Sequence, residues 1–235
     1  MHGSESGGGK VFGRFAEPAH RVLDLAREEA ERCGHRYLGP EHVLLGILVE
    51  GQSRAAQLLW SHGLEVTAAR AALAGLTDRG VVPGPQPSDA QLLGTLGIDL
   101  DAVRRDSEQS FGVRAVGEAT WRVTRRRGWP SRRVVWTPLC GPPLFAKRAL
   151  QLASQQAHAL GHGKVRPEHL LLGVLEDARQ PTEEPNSSRR HRQVIAHVGL
   201  PGGYHGAAGP LLAGLGVDLG RLREAVAAEL GGVQR

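Results

Sequence analysis

Aromatic residues are scarce, with Phe, Trp and Tyr together making up only 4% of this 235-residue chain. A β-sandwich core draws on aromatic and β-branched side chains, so a core restricted largely to Leu, Val and Ala points to helices instead. Long apolar runs are missing as well. None approaches the roughly 20 residues needed to cross a bilayer, and the first residues have no apolar signal-peptide segment. These absences predict a soluble, cytoplasmic protein without a membrane partner. Cysteine occurs twice, as Cys33 and Cys140, without the spacing of a zinc or redox motif. Cys33 falls on an apolar helix face and reads as a buried small hydrophobe in a reducing compartment.

Catalytic signatures are absent too. At the one approach to a phosphate loop, Gly163-Lys164, His158 stands where the first glycine belongs and Val165 follows the lysine in place of Ser or Thr. Ser110 and Ser154 sit in no Gly-x-Ser-x-Gly elbow. Adjacent Glu41 and His42 point to different helix faces, and no His-Glu-x-x-His pair brings two metal ligands together. His35, His42, His162 and His169 therefore read as structural side chains whose hydrogen bonds tie a helix–helix loop together. The expectation is a protein that is not an enzyme and that needs neither cofactor nor metal.

What the chain does contain is a duplication. Gly34-His35-Arg36-Tyr37-Leu38-Gly39-Pro40-Glu41-His42-Val43-Leu44-Leu45-Gly46 recurs, ungapped, as Gly161-His162-Gly163-Lys164-Val165-Arg166-Pro167-Glu168-His169-Leu170-Leu171-Leu172-Gly173. Upstream, Ala19-His20-Arg21-Val22-Leu23 pairs in the same register with Ala146-Lys147-Arg148-Ala149-Leu150. Phe15, Ala19, Val22, Leu23, Ala26, Ala30 and Cys33 recur at helical spacing, with Arg21, Asp24, Arg27, Glu28 and Glu31 opposite. Pro18 suits a first turn and Gly34 a C-terminal stop, and a second helix starts at Pro40 or Pro167. A further element appears three times, at Leu58–Val66, Leu92–Leu100 and Leu211–Leu219, with a degenerate fourth copy at Val194–Leu200. Each reads as helix, glycine stop, acidic cap, helix. The fold expected is all-α: duplicated repeats of short helices in a pseudo-two-fold bundle.

The string Ala26-x-x-Glu29-Ala30…Gly34-His35…Gly39-x-Glu41-His42-x-Leu44-Leu45-Gly46…Glu50-Gly51…Ala55-Ala56 resembles the N-terminal domain of Clp/Hsp100 unfoldases, especially the ClpC type. The resemblance covers roughly 12–76 and 142–230, here without ATPase modules. It implies a non-catalytic substrate- or adaptor-binding protein, linked to regulated proteolysis or protein quality control. Implied partners are Clp unfoldase and protease components, their substrates and adaptors, and phosphoarginine-like or cyclic-peptide ligands. The family's ligand-contacting glutamate maps onto Glu41 and Glu168, and a carboxylate there can fork onto a guanidinium. It can equally complement its helix N-terminus. The candidate groove lies between the repeats, around Glu41 and Glu168 and flanked by Tyr37, Pro40, Arg166 and Pro167. Pro40 and Pro167 stand where many members have threonine, which removes a hydroxyl and a backbone donor.

The remaining segments set the domain reading. Residues 1–11 are Gly-rich and read as disordered, 12–110 as the first repeat with an extra helix pair, 111–140 as a basic linker, and 141–230 as the second repeat with a polar loop at 178–192. So long a connection leaves open whether the two halves stand as separate lobes or share one core. The net charge is +5, and Arg122, Arg125, Arg126, Arg127, Arg132 and Arg133 crowd the linker beside Trp121, Trp129 and Trp136. Arginines among aromatics can bind phosphates and stack on bases, so the alternative function is a nucleic-acid-associated regulator acting through this segment. A solvated linker is the plainer reading.

Overall fold

The computed structural model describes residues 15–35, 37–85, 89–118, 146–179 and 206–232. The 1–11 terminus, the arginine and tryptophan cluster from Trp121 to Trp136, Cys140, the polar loop beyond Arg179 and the degenerate corner at 194–200 lie outside these residues. The first repeat supplies α1 (Glu17–Arg32), α2 (Pro40–Glu50), α3 (Arg54–Ser61) and α4 (Val66–Asp78). Next come α5 (Asp89–Thr95) and α6 (Leu100–Phe111), the extra pair. The second repeat supplies α7 (Ala146–Ala159), α8 (Pro167–Arg179), α9 (Ala208–Gly214) and α10 (Leu219–Gly232). Among the described residues the fold is all-α; the only extended pairing is one parallel bridge between Phe15 and Val165.

α1 follows its periodicity. Ala19, Val22, Leu23, Ala26 and Ala30 are buried, Pro18 sits in the first turn, and Gly34 turns the chain out at a φ of 69°. Two side chains depart from the sequence reading. Cys33 caps the helix and is only half-buried, and Glu29 is buried on the apolar face.

α2 is buried from Pro40 to Leu48, and α8 from Pro167 to Leu175. A helix buried all round belongs in the middle of a core. α2 and α8 accordingly pack on each other, with α2 also against α4 and α9, and α8 against α3 and α10. The two repeats thus share one core, a point the sequence left open, because neither central helix has a broad polar face to turn to water. The repeats also exchange backbone bonds at their edges: Ala16 N–H donates to the Val165 carbonyl (2.8 Å) and Ala146 N–H to the Leu38 carbonyl (3.1 Å).

The glycine ending each Leu-Leu-Gly run sets how closely the first two helices cross. A Cβ on Gly46 would lie 2.4 Å from the Val22 carbonyl oxygen, and one on Gly173 2.2 Å from that of Ala149. These are matched positions in the two copies.

By their contacts the described residues fall into two units, one comprising the described parts of 15–85 and 146–232, the other 89–118. The extra helix pair, expected at the tail of the first repeat, therefore stands as a unit of its own. None of the described helices is long and apolar enough to cross a membrane.

Candidate functional site

The duplicated string builds the start of α2 and of α8. Gly39 is the N-cap of α2, Pro40 opens it, and His42 at the third helical position reaches back to accept the Gly39 N–H through Nδ1 at 2.9 Å. An imidazole here does what Glu or Gln does in a capping box. The second copy repeats the contact, with Arg166 N–H donating to His169 Nδ1 at 3.0 Å. Each capping histidine then meets the earlier one of its string. His42 Nε2 lies 2.8 Å from His35 Nδ1, and His169 Nε2 lies 2.8 Å from His162 Nδ1. The four histidines thus tie the α1–α2 and α7–α8 loops.

Burial holds three of these rings, His35, His42 and His169, in their neutral form. Burial, with Glu29's charge opposing it, depresses His42 to about 3. Burial and then the neighbouring His42 depress His35 to about 4. Burial, then His162 and Arg166, depress His169 to about 4. Cys33, His35 and His42 bring three donor atoms within 4.8 Å of one another, close enough for a metal. The lone pairs are already committed, however: Nδ1 of His42 to Gly39, Nδ1 of His35 to His42, with the remaining His35 nitrogen on the Pro83 backbone. This donor set does not fit a metal without resetting both tautomers.

The two glutamates, equivalent in sequence, have different surroundings. Glu41 is fully buried, and its Oε2 accepts the Ala207 N–H at 2.9 Å, a bond between the repeats. Two glycines make room for it. A Cβ at Gly39 would lie 2.1 Å from Glu41 Oε1, and one at Gly206 would lie 2.3 Å from Pro40 Cγ. The second copy has Arg166 in place of Gly39, so its carboxylate cannot fold back in the same way. Glu168 instead has Arg166 Nε 3.8 Å from its Oε2, and that arginine side chain is 33% exposed.

The residues expected to line a groove between the repeats are thus mostly interior. Tyr37 stacks on His35 with ring centroids 5.1 Å apart, and Tyr37, Pro40, Glu41, Glu168 and Pro167 are all buried, which leaves Arg166 as the one in partial contact with solvent. Their seat is filled because the two central helices start there. Arg122, Arg125, Arg126, Arg127, Arg132 and Arg133 lie outside the described residues. A charged contact that periodicity did not single out is Glu29, which takes a forked pair of bonds from Arg70 (2.6 and 2.9 Å) while Arg32 stands 3.3 Å away. Burial alone would raise its carboxyl, but the Arg70 bonds and the two arginine charges carry it below the ordinary value.

Residues 14–92 match the family described as Clp repeat (R) N-terminal domain. Residues 14–92 carry a Clp N-terminal repeat domain. It is 30% identical over 231 residues to the chloroplastic chaperone protein ClpC1 of rice, with 91% of this chain and 19% of that protein aligned. It is also 30% identical over 167 residues to the chaperone protein ClpB of Oceanobacillus iheyensis, covering 71% of this chain and 14% of that one. The chain therefore spans about a fifth of the ClpC1 relative's length. Its fold is similar to that of the N-terminal domain of ClpD from Arabidopsis thaliana, with a TM-score of 0.51 at 18% identity, covering 95% of this chain and 98% of that one. The alignment with ClpC1 covers 91% of the chain and so extends well past residues 14–92.

Proposed function

We propose that this chain is a polypeptide-recognition unit of the Clp type, which binds substrates or adaptors of an unfoldase in regulated proteolysis or protein quality control and does no chemistry on them. The observation that supports this reading is the Clp N-terminal match joined to a single core made by both repeats. Its side chains fit binding better than catalysis, because His42 is kept neutral by burial and committed to the Gly39 N–H, and Glu41 is taken up by the chain's own backbone. Cationic or phosphoarginine peptides are the finer candidates among ligands. Of the two glutamates, Glu168 beside part-exposed Arg166 is the nearer to solvent. A ligand for Glu41 would first have to lift 206–208 away from the start of α2. Fluorescence anisotropy with labelled unfolded casein and with a phosphoarginine peptide tests both levels. Saturable binding of casein, with phosphoarginine affinity lost in Glu168→Ala, is the expected result. A chain that binds neither casein nor any Clp subunit would end this reading.

A further inference from the structure

The histidine pairs of the two repeats are alike until their outermost nitrogen. Because a backbone N–H donates to Nδ1 of His42 and of His169, each of these rings carries its proton on Nε2 and donates it to the next ring. His35 and His162 therefore accept at Nδ1 and present an N–H at Nε2. In the first repeat this N–H meets the backbone of Pro83, which has only a carbonyl to offer, on a stretch that also buries Val82. In the second repeat the matching His162 Nε2 is buried and has no hydrogen-bond partner among the described residues. A buried donor without an acceptor is an unmet cost in free energy, and such a group calls for an explanation.

A cavity of about 340 Å³ is lined by His162 and Lys164 together with Ser154, His158, Gly161 and Gly163. Its origin is a set of exchanges between the copies. Tyr37 fills the space beside His35 in the first repeat, and Lys164 holds the corresponding position in the second. Arg27 corresponds to Ser154, so a further long side chain has become small. The lining carries a lysine, two histidines and no carboxylate. Its volume is at the small end for a ligand site and suits a group the size of one or two residues.

We propose that this cavity is a binding site for a peptide carboxylate, which accepts the His162 Nε2–H and pairs with the Lys164 ammonium. An incoming oxygen does for His162 what the Pro83 carbonyl does for His35, and the lysine selects a charged acceptor over a neutral one. The site rests on the binding role proposed above only for the peptide nature of the ligand. Its demand for an anionic acceptor stands on the cavity and the unmet donor.

The test is an NMR titration of the whole chain, following the ring ¹⁵N and N–H signals of His162. Three probes are used: acetyl-Gly-Val-Gly with a free C-terminus, the same peptide amidated, and acetyl-Gly-Glu-Gly-amide. A saturable His162 shift is expected from one or both carboxylate peptides, and which of them binds tells a C-terminus from an acidic side chain. The amidated peptide without glutamate should bind roughly tenfold or more weakly, since a charge-assisted bond is lost. Lys164→Tyr, which puts back the first repeat's residue, should weaken carboxylate binding by roughly the same factor while the His35 and His42 signals stay in place and report an intact fold. Equal affinity for amide and carboxylate, no saturable shift at His162, or an unchanged response in Lys164→Tyr overturns the site. Casein binding measured on the same samples keeps that outcome separate from the broader function.

Discussion

Glu41 and Glu168 show how one residue type at one repeat position can have two energetic roles. Glu41 answers a backbone N–H from the other repeat inside a fully buried recess, so Glu41→Ala leaves the Ala207 donor unmet. That costs about 1–3 kcal/mol, whereas Glu168→Ala removes a loose pair with a part-exposed arginine and costs under about 1 kcal/mol. Urea unfolding of the two variants measures the difference, and equal losses would remove Glu41's role as a latch. Asp177 provides a second residue-scale test. Burial, only partly offset by Arg148 at 3.5 Å, raises its carboxyl from 3.8 to about 6. The folded chain then holds this proton more tightly than the unfolded chain, so the contribution to stability falls as pH rises from 3.8 to about 6. Asp177→Asn should flatten that fall and raise stability at neutral pH by up to about 3 kcal/mol, the Arg148 attraction already being included in the value of about 6. A variant less stable than the parent at pH 7 would show the ion pair outweighing the burial.

At the scale of elements, the chain reuses one helix-to-helix corner. Leu64, Ile98 and Val217 each donate a backbone N–H to the fifth residue before them (3.0, 2.9 and 3.0 Å), across glycines at φ of 81°, 78° and 71°. Asp99 and Asp218 then cap the next helix by accepting two backbone N–H groups apiece, while Glu65 makes no side-chain cap. All of this is readable as Leu-Leu-x-x-Leu-Gly-x-Asp-Leu, because a glycine stop and an aspartate cap are local devices. The surroundings of each corner are not local. Leu211 and Leu212 of the α9–α10 corner are buried, yet Leu96, Ile98 and Val103 of the α5–α6 pair are exposed. For the same reason the apolar stripe of α1 was legible while the burial of Tyr37, Pro40 and Glu41 was not, since it depends on which helix of the other repeat arrives. Helix crossings give an element-scale prediction with a sign change. Gly46→Ala and Gly173→Ala each push a methyl into a carbonyl of the neighbouring helix and should cost about 1–3 kcal/mol or more. Gly75→Ala, mid-helix in α4 and meeting only the tip of Arg79 at 3.4 Å, should instead stabilise by about 1 kcal/mol. Thermal melts of the three variants check this, and a stabilising change at Gly46 or Gly173 would contradict the close crossing.

For the whole molecule, the shared core makes the two repeats answer acid together. His35, His42 and His169 have folded values of about 4, 3 and 4 against an ordinary 6.5. For a histidine depressed by folding, the unfolded chain takes up the proton first, so stability is whole above 6.5 and drains as pH falls toward the folded values. Glu29, held below its ordinary value of 4.5, adds a loss of the same sign at the acid end of that range. Asp177 works the other way between about 6 and 3.8, but it is one group against three. The net expectation is a urea midpoint that drops steeply between pH 6.5 and about 4, with ring signals of His35 and His169 lost at the same urea concentration. Those two histidines sit in different repeats, and α2 packed on α8 is what couples them. Loss of the His169 signal well before that of His35 would mean that the repeats unfold separately. An acid-insensitive midpoint would mean that the neutral rings are not what burial makes of them.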